Sequence, residues 1–141
     1  MLIYTIMPDY GQAYGWRKPP DSPPWAGVGE NVAGFGGWGG DPPISSDLEN
    51  AFKTWQGEFE SHAWHGSADK DCYADFDWAS FHARGLDLTI RLKAELGDAA
   101  VVIYEKPFED PNRNDHERTE IRAGGQPRLL PSRKEIAARY P

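Results

Sequence analysis

The sequence predicts an α+β fold over residues 1–141, a two-layer sandwich in which a mainly antiparallel sheet of about four strands carries two long helices on one face. Three observations predict it. Residues 47–62 and 77–97 each repeat apolar side chains at helical spacing, Ala100 to Lys106 is a run of Val, Ile and Tyr suited to a sheet interior, and Gly124-Gly125 separates two short segments of strand character. At 141 residues the chain is long enough to bury roughly two-thirds of the surface its unfolded form exposes, so one core suffices to hold it together.

The first strand is Leu2 to Met7, β-branched and aromatic, and Pro8 is expected to stop it. Residues 8–43 then hold nine glycines and seven prolines in 36 positions, too many breakers for a long regular element. This stretch reads as a long loop, and its Tyr10, Tyr14, Trp16, Trp25, Phe35 and Trp38 predict an ordered one, because disordered linkers are poor in rings.

Ser46 and Glu49 form a capping-box pattern, and Leu48, Phe52, Trp55 and Phe59 follow on one helical face, predicting a helix from about Asp47 to His62. A polar connection follows from Gly66 to Asp75. Asp77 is placed to cap a second helix with the stripe Trp78, Phe81, Gly85, Leu88, Leu92 and Leu96, which Gly97 should end. The strand Ala100 to Lys106 stops at Pro107. Glu117 to Ala123 and Gln126 to Leu130 make a hairpin about Gly124-Gly125, and Ser132 with Glu135 caps a short helix in 131–141. What the first strand pairs with is left open by the pattern.

The net charge of −7 argues against a nucleic acid or an anionic membrane as partner. Residues 122–141 carry five basic side chains (Arg122, Arg128, Arg133, Lys134, Arg139) against Glu135, which leaves −11 on the first 121 residues. The lone Cys72 cannot form an internal disulfide, and no stretch approaches the roughly 20 apolar residues of a membrane helix. Leu2 to Met7 is too short for a secretory core and lacks preceding basic residues, so a cytoplasmic location is expected.

No complete reactive centre is legible. Gly34-Phe35-Gly36-Gly37-Trp38-Gly39 has the spacing of a dinucleotide fingerprint, but no strand leads into it and Asp41-Pro42-Pro43 follows where a helix should begin, so it reads as a loop. His62 and His65, with Asp69, Asp71, Cys72 and Asp75 nearby, are the best metal-ligating candidates. A structural zinc site wants four ligands, usually with paired cysteines, and the His-Glu-x-x-His spacing is missing. Neither a metal nor any other cofactor is therefore expected. Carboxylates flanking Cys72 suppress its thiolate, and His82 and His116 show no partner in the sequence.

What remains is a surface. Between positions 58 and 77 stand six acids (Glu58, Glu60, Asp69, Asp71, Asp75, Asp77) against Lys70, interleaved with Trp64, Tyr73 and Phe76. Acids steer a basic partner from a distance and rings anchor it, so Glu58, Glu60, Trp64, Asp69, Asp71, Tyr73 and Asp75 are the expected contacts, helped by Tyr14, Trp16 and Trp38 of the long loop.

Met7-Pro8-Asp9-Tyr10-Gly11, Ile44-Ser45-Ser46-Asp47-Leu48, Phe52-Lys53-Thr54-Trp55, Phe81-His82-Ala83-Arg84-Gly85-Leu86, Leu92 to Gly97 and Val102-Ile103-Tyr104 together resemble a group of small bacterial proteins associated with the immunity partners of polymorphic or contact-dependent toxins. The resemblance covers residues 1–105, rests mostly on core and capping residues, and does not extend over 107–141. It implies a non-enzymatic protein that binds and blocks a cognate toxin, a basic effector domain if charge guides the pairing. Two other readings stand beside it: a small metal-dependent hydrolase using His62, His65 and a nearby Asp, and a structural or phage-associated oligomer.

Overall fold

Two kinds of connection set the strand order. The computed structural model of the chain describes residues 1–23, 25–33, 38, 43–65, 73–111 and 118–140, with the side chains of 63–65 excepted. Leu2–Asp9 (β1) and Ala13–Lys18 (β2) are joined by so short a turn that they must run antiparallel. Two helices, Ser46–His65 (α1) and Trp78–Leu96 (α2), lie between Glu30–Asn31 (β3) and Ala100–Tyr104 (β4), and this long crossover lets β4 run parallel to β1. Thr119–Arg122 (β5) and Gln126–Leu129 (β6) add antiparallel strands beyond β4, and a short helix, Arg133–Arg139 (α3), ends the chain's regular structure. The result is a six-stranded mixed sheet in the order β3-β2-β1-β4-β5-β6. The α+β class agrees with the sequence. The sheet does not: it is larger than four strands, and its central pair is parallel.

The missed strands are β2 and the two-residue β3, both inside the stretch read as loop, and β2 is the longer. Its Ala-Tyr-Gly-Trp-Arg-Lys run contains a glycine and is bounded by breakers, so propensity argues against it. Tertiary contacts override propensity. A side chain at Gly15 would lie 2.8 Å from the Trp38 ring, so the glycine is there to admit Trp38, which also stacks on Tyr4 at 5.9 Å. Nor does Pro8 end β1, which continues to Asp9 through a register irregularity between Ile6 and Asp9. The turn to β2 places Gly11 and Gln12 at positive φ, and the Glu60 carboxylate of α1 accepts from both of their amides, at 2.9 and 3.1 Å. Gln56 adds a bond from Nε2 to Asp9 O at 2.7 Å. One helix thereby holds the hairpin in place.

Both long helices follow the predicted stripes. α1 buries Leu48, Phe52, Trp55 and Phe59, and α2 buries Phe81, Gly85, Leu88 and Leu92. The α1 cap is one residue earlier than the pattern suggested: Ser45 Oγ accepts from Leu48 N at 3.2 Å and itself donates to Glu95 on α2 at 2.6 Å. Asp77 caps α2 through Ser80 N, and Gly97 closes it at positive φ. α1 runs three residues past the predicted His62, while β4 ends at Tyr104 rather than Lys106.

The tightest contact between the layers is at Gly85. A methyl group there would lie 2.6 Å from both Trp55 and Tyr104, so the absent side chain lets α2 settle onto β4. Trp55 stacks on Phe81 at 4.6 Å and donates its Nε1 to Phe81 O at 2.9 Å, which fills the space beside it. At the far edge, β6 is exposed along its length and carries Pro127, which withholds an amide from any strand that might add there.

The crowding at Gly85 makes a testable demand. Gly85→Ala should lower unfolding free energy by about 1–3 kcal/mol through overpacking, even though alanine favours helix. Urea denaturation checks it: a variant as stable as the parent would mean that α2 can lift from the sheet without cost.

Candidate functional site

The end of α1 and the start of α2 meet where the sequence concentrates its acids. Glu58 is exposed and pairs with Arg84, which reaches across from α2 and donates its Nε to Ser80 O at 3.3 Å. Asp75 is almost fully exposed, and its carboxylate lies 3.0 Å from His62 Nε2. The His62 ring stacks on Tyr73 at 5.4 Å and meets Phe76 edge-on at 5.0 Å. Glu58, Ser61, His62, Phe76, Asp77 and Arg84 line an open cleft of about 370 Å³. The carboxylates of Glu58, Asp75 and Asp77 outnumber the Arg84 guanidinium on this surface. Half-buried Phe76 and His62 and the exposed carboxylates of Glu58 and Asp77 thus share one surface.

Several of the anticipated contacts lie elsewhere. Tyr73 is core rather than surface: its ring stacks on Phe59 at 5.1 Å and its hydroxyl donates to Phe59 O at 2.8 Å. Tyr14 is completely buried, stacked on Phe52 at 4.9 Å, and Trp38 is buried beside it. Burial, and then the charge of Glu49, push the Tyr14 phenol well above its usual range. Trp16 is half-buried on β2 and donates its Nε1 to Met7 O at 2.9 Å. Glu60 is engaged by the β1–β2 turn. The physical reason is common to all four rings: burying a large aromatic side chain stabilises the fold more than exposing it could help a partner. Glu58 and Asp75 are outward-facing, whereas Asp69, Asp71 and the side chain of Trp64 lie outside the described residues.

The metal-ligating candidates are divided in the same way. His62 has Asp75 beside it, while His65's side chain and Cys72 fall outside the description. Among the described residues no three His, Cys, Asp or Glu side chains converge to hold an ion. The glycine-rich segment 34–39 is described only at Trp38.

The best-organised titratable group was not anticipated. His82, on the buried face of α2, sits with Nδ1 2.6 Å from Tyr104 Oη and Nε2 2.6 Å from Asp110 Oδ2. In the neutral tautomer that donates from Nε2 to the Asp110 carboxylate, Nδ1 is left to accept from the Tyr104 hydroxyl. Such a chain resembles a proton relay in connectivity, but Tyr104 and Asp110 are each 2% exposed and His82 is 8% exposed, so a substrate has no surface to reach. Burial foremost, then the Asp110 charge, hold the Tyr104 phenol far above its ordinary range, which makes it a donor and not a nucleophile. The chain therefore works as a latch that ties the segment after β4 to α2. Asp110 lies 28 positions beyond His82, a separation with no local signature.

Comparison with protein-family models, with curated proteins and with solved structures returns no match to this chain.

Two outcomes follow from the latch. His82→Leu removes one hydrogen-bond partner each from a buried carboxylate and a buried phenol, and should cost about 2–3 kcal/mol in chemical denaturation. Alkaline pH should act through Tyr104. Because folding raises its pKa, the phenol's contribution is intact below about 10 and is lost as pH climbs beyond that value, where only the unfolded chain ionises readily. Stability measured against pH should fall less steeply above this point for Tyr104→Phe than for the parent, and equal slopes would contradict the assignment.

Proposed function

We propose that the chain is a protein-binding inhibitor of the immunity type, which neutralises a basic toxin or effector domain through the acidic cleft between α1 and α2. The observation that carries this reading is the cleft itself, where exposed Glu58 and Asp77 line it together with the half-buried Phe76 and His62, and exposed Asp75 lies 3.0 Å from His62. Carboxylates at a rim raise the association rate of a cationic partner, and a desolvated ring at the centre slows its departure. The Tyr104-His82-Asp110 chain supports a binding rather than a catalytic role, because its groups are enclosed and mutually satisfied. The reading keeps the acidic segment of the sequence as the contact, moves its centre to Glu58, Asp75, Asp77 and Phe76, and removes Tyr14, Trp38 and Tyr73 from it.

The experiment is affinity capture from the native host with neighbouring reading frames expressed, using the parent chain and an Asp75→Lys, Asp77→Asn variant. Asparagine preserves the helix cap, so folding should be unchanged. A cognate partner should be retained by the parent, released by salt, and associate at least about tenfold more slowly with the variant. Equal association of both proteins with that partner would sink the cleft as the contact surface.

A further inference from the structure

The second feature of the molecule lies on the other side of the sheet. Tyr104 ends β4 facing the helices, and Glu105, whose amide carries the pairing one residue further by donating to Ile6 O at 2.9 Å, turns away from them and is nearly buried at 7% exposure. Arg133, the first residue of α3, forks onto this carboxylate, with Nη2 2.9 Å from Oε1 and Nε 3.2 Å from Oε2. Its Nη1 donates to Ala26 O at 2.9 Å. The next carbonyl in the chain, Gly27 O, accepts from Lys18 Nζ at 3.0 Å. The ammonium and the guanidinium are therefore seated on neighbouring carbonyls of one loop. Arg118 enters from the opposite side, its Nε donating to Pro131 O at 3.3 Å, two residues before Arg133.

Three cations thus gather about one carboxylate. Glu105 is committed to Arg133, and among the described residues neither Lys18 nor Arg118 has a carboxylate at ion-pair distance. Both are half-buried, so solvent screens their repulsion incompletely. Burial lowers the pKa of each, Arg133 lowers both further, and Glu105 only partly opposes this. In a chain of net charge −7, a partly desolvated surplus of two positive charges is the reverse of what solubility requires.

We propose that Lys18, Arg118 and Arg133, gathered about Glu105 on the sheet face opposite the long helices, form a binding site for a phosphate-type oxyanion. The charge matches, since a phosphate group carries nearly two negative charges at neutral pH and the surplus here is two. The donors match as well. Arg118 keeps both Nη groups free of protein acceptors among the described residues, a planar fork suited to two oxygens, and the Lys18 ammonium supplies a third, compact donor. An anion seated between them removes the mutual repulsion and ties β2, the residue leading into β5, and α3 together.

Calorimetric titration of the full chain with inorganic phosphate at low, constant ionic strength tests the site. Saturable binding of one phosphate per chain is expected, weakened at least about tenfold in Lys18→Gln and in Arg118→Gln and unaltered in Arg91→Gln, an exposed cation of α2. Without phosphate, both site variants should be as stable as the parent or more so, because each relieves repulsion. If Arg118→Gln does not fold, Lys18→Gln decides. A parallel titration with glycerol phosphate separates sources: tighter binding than inorganic phosphate assigns the site to a phosphomonoester, and equal binding assigns it to the free anion. Absence of saturation in the parent, or equal affinity in parent and Lys18→Gln, would overturn the proposal.

Discussion

The parallel pairing of β1 with β4 is the constraint on which the molecule's layout depends. Parallel neighbours cannot be joined by a tight turn, so the chain between them must cross over, and here it does so through α1 and α2. That crossover puts both long helices against one sheet face. It also places Tyr4 and Ile6 of β1 and Val102 and Tyr104 of β4 in one core with Phe52, Trp55, Phe59 and Phe81. The remaining strands are additions at the two sides of this pair: a hairpin partner, β2, clamped by Glu60, and the β5–β6 hairpin beyond β4.

Aromatic side chains dominate the interior, and this determines what can be a surface. Rings from β2, α1 and α2 form a continuous chain of contacts from Tyr14 through Phe52 and Trp55 to Phe81, Trp78 and His82. A domain that fills its core with such large groups needs small residues where backbones approach, and Gly15 and Gly85 provide them. It also buries polar tips that need partners. Trp55, Tyr73 and Tyr104 find them in backbone carbonyls and in His82, so the polar bonds inside the core specify which ring goes where.

Charge is distributed unevenly between the two sides. Glu58, Asp75 and Asp77 stand at the junction of the helices, whereas Lys18, Arg118 and Arg133 cluster beyond the sheet. A protein polarised in this way orients in the field of a charged partner before contact, and it presents a basic partner with the helical side first. The two proposed sites are therefore independent, one offering carboxylates around a ring and the other a cluster of cations.

Both helices, the α2 caps at Asp77 and Gly97, the β4 strand and the Gly124-Gly125 hairpin were legible because each depends on neighbours within about one turn of chain. Residue periodicity and cap chemistry are local, and the overall acidity is a matter of composition alone. Strand β2, the parallel register, the burial of Tyr14, Trp38 and Tyr73, the capture of Glu60 by a distant turn and the His82–Asp110 bond were decided only by tertiary structure. Each depends on side chains far apart in sequence competing for the same enclosed space, and no pattern along the chain records which of them will occupy it.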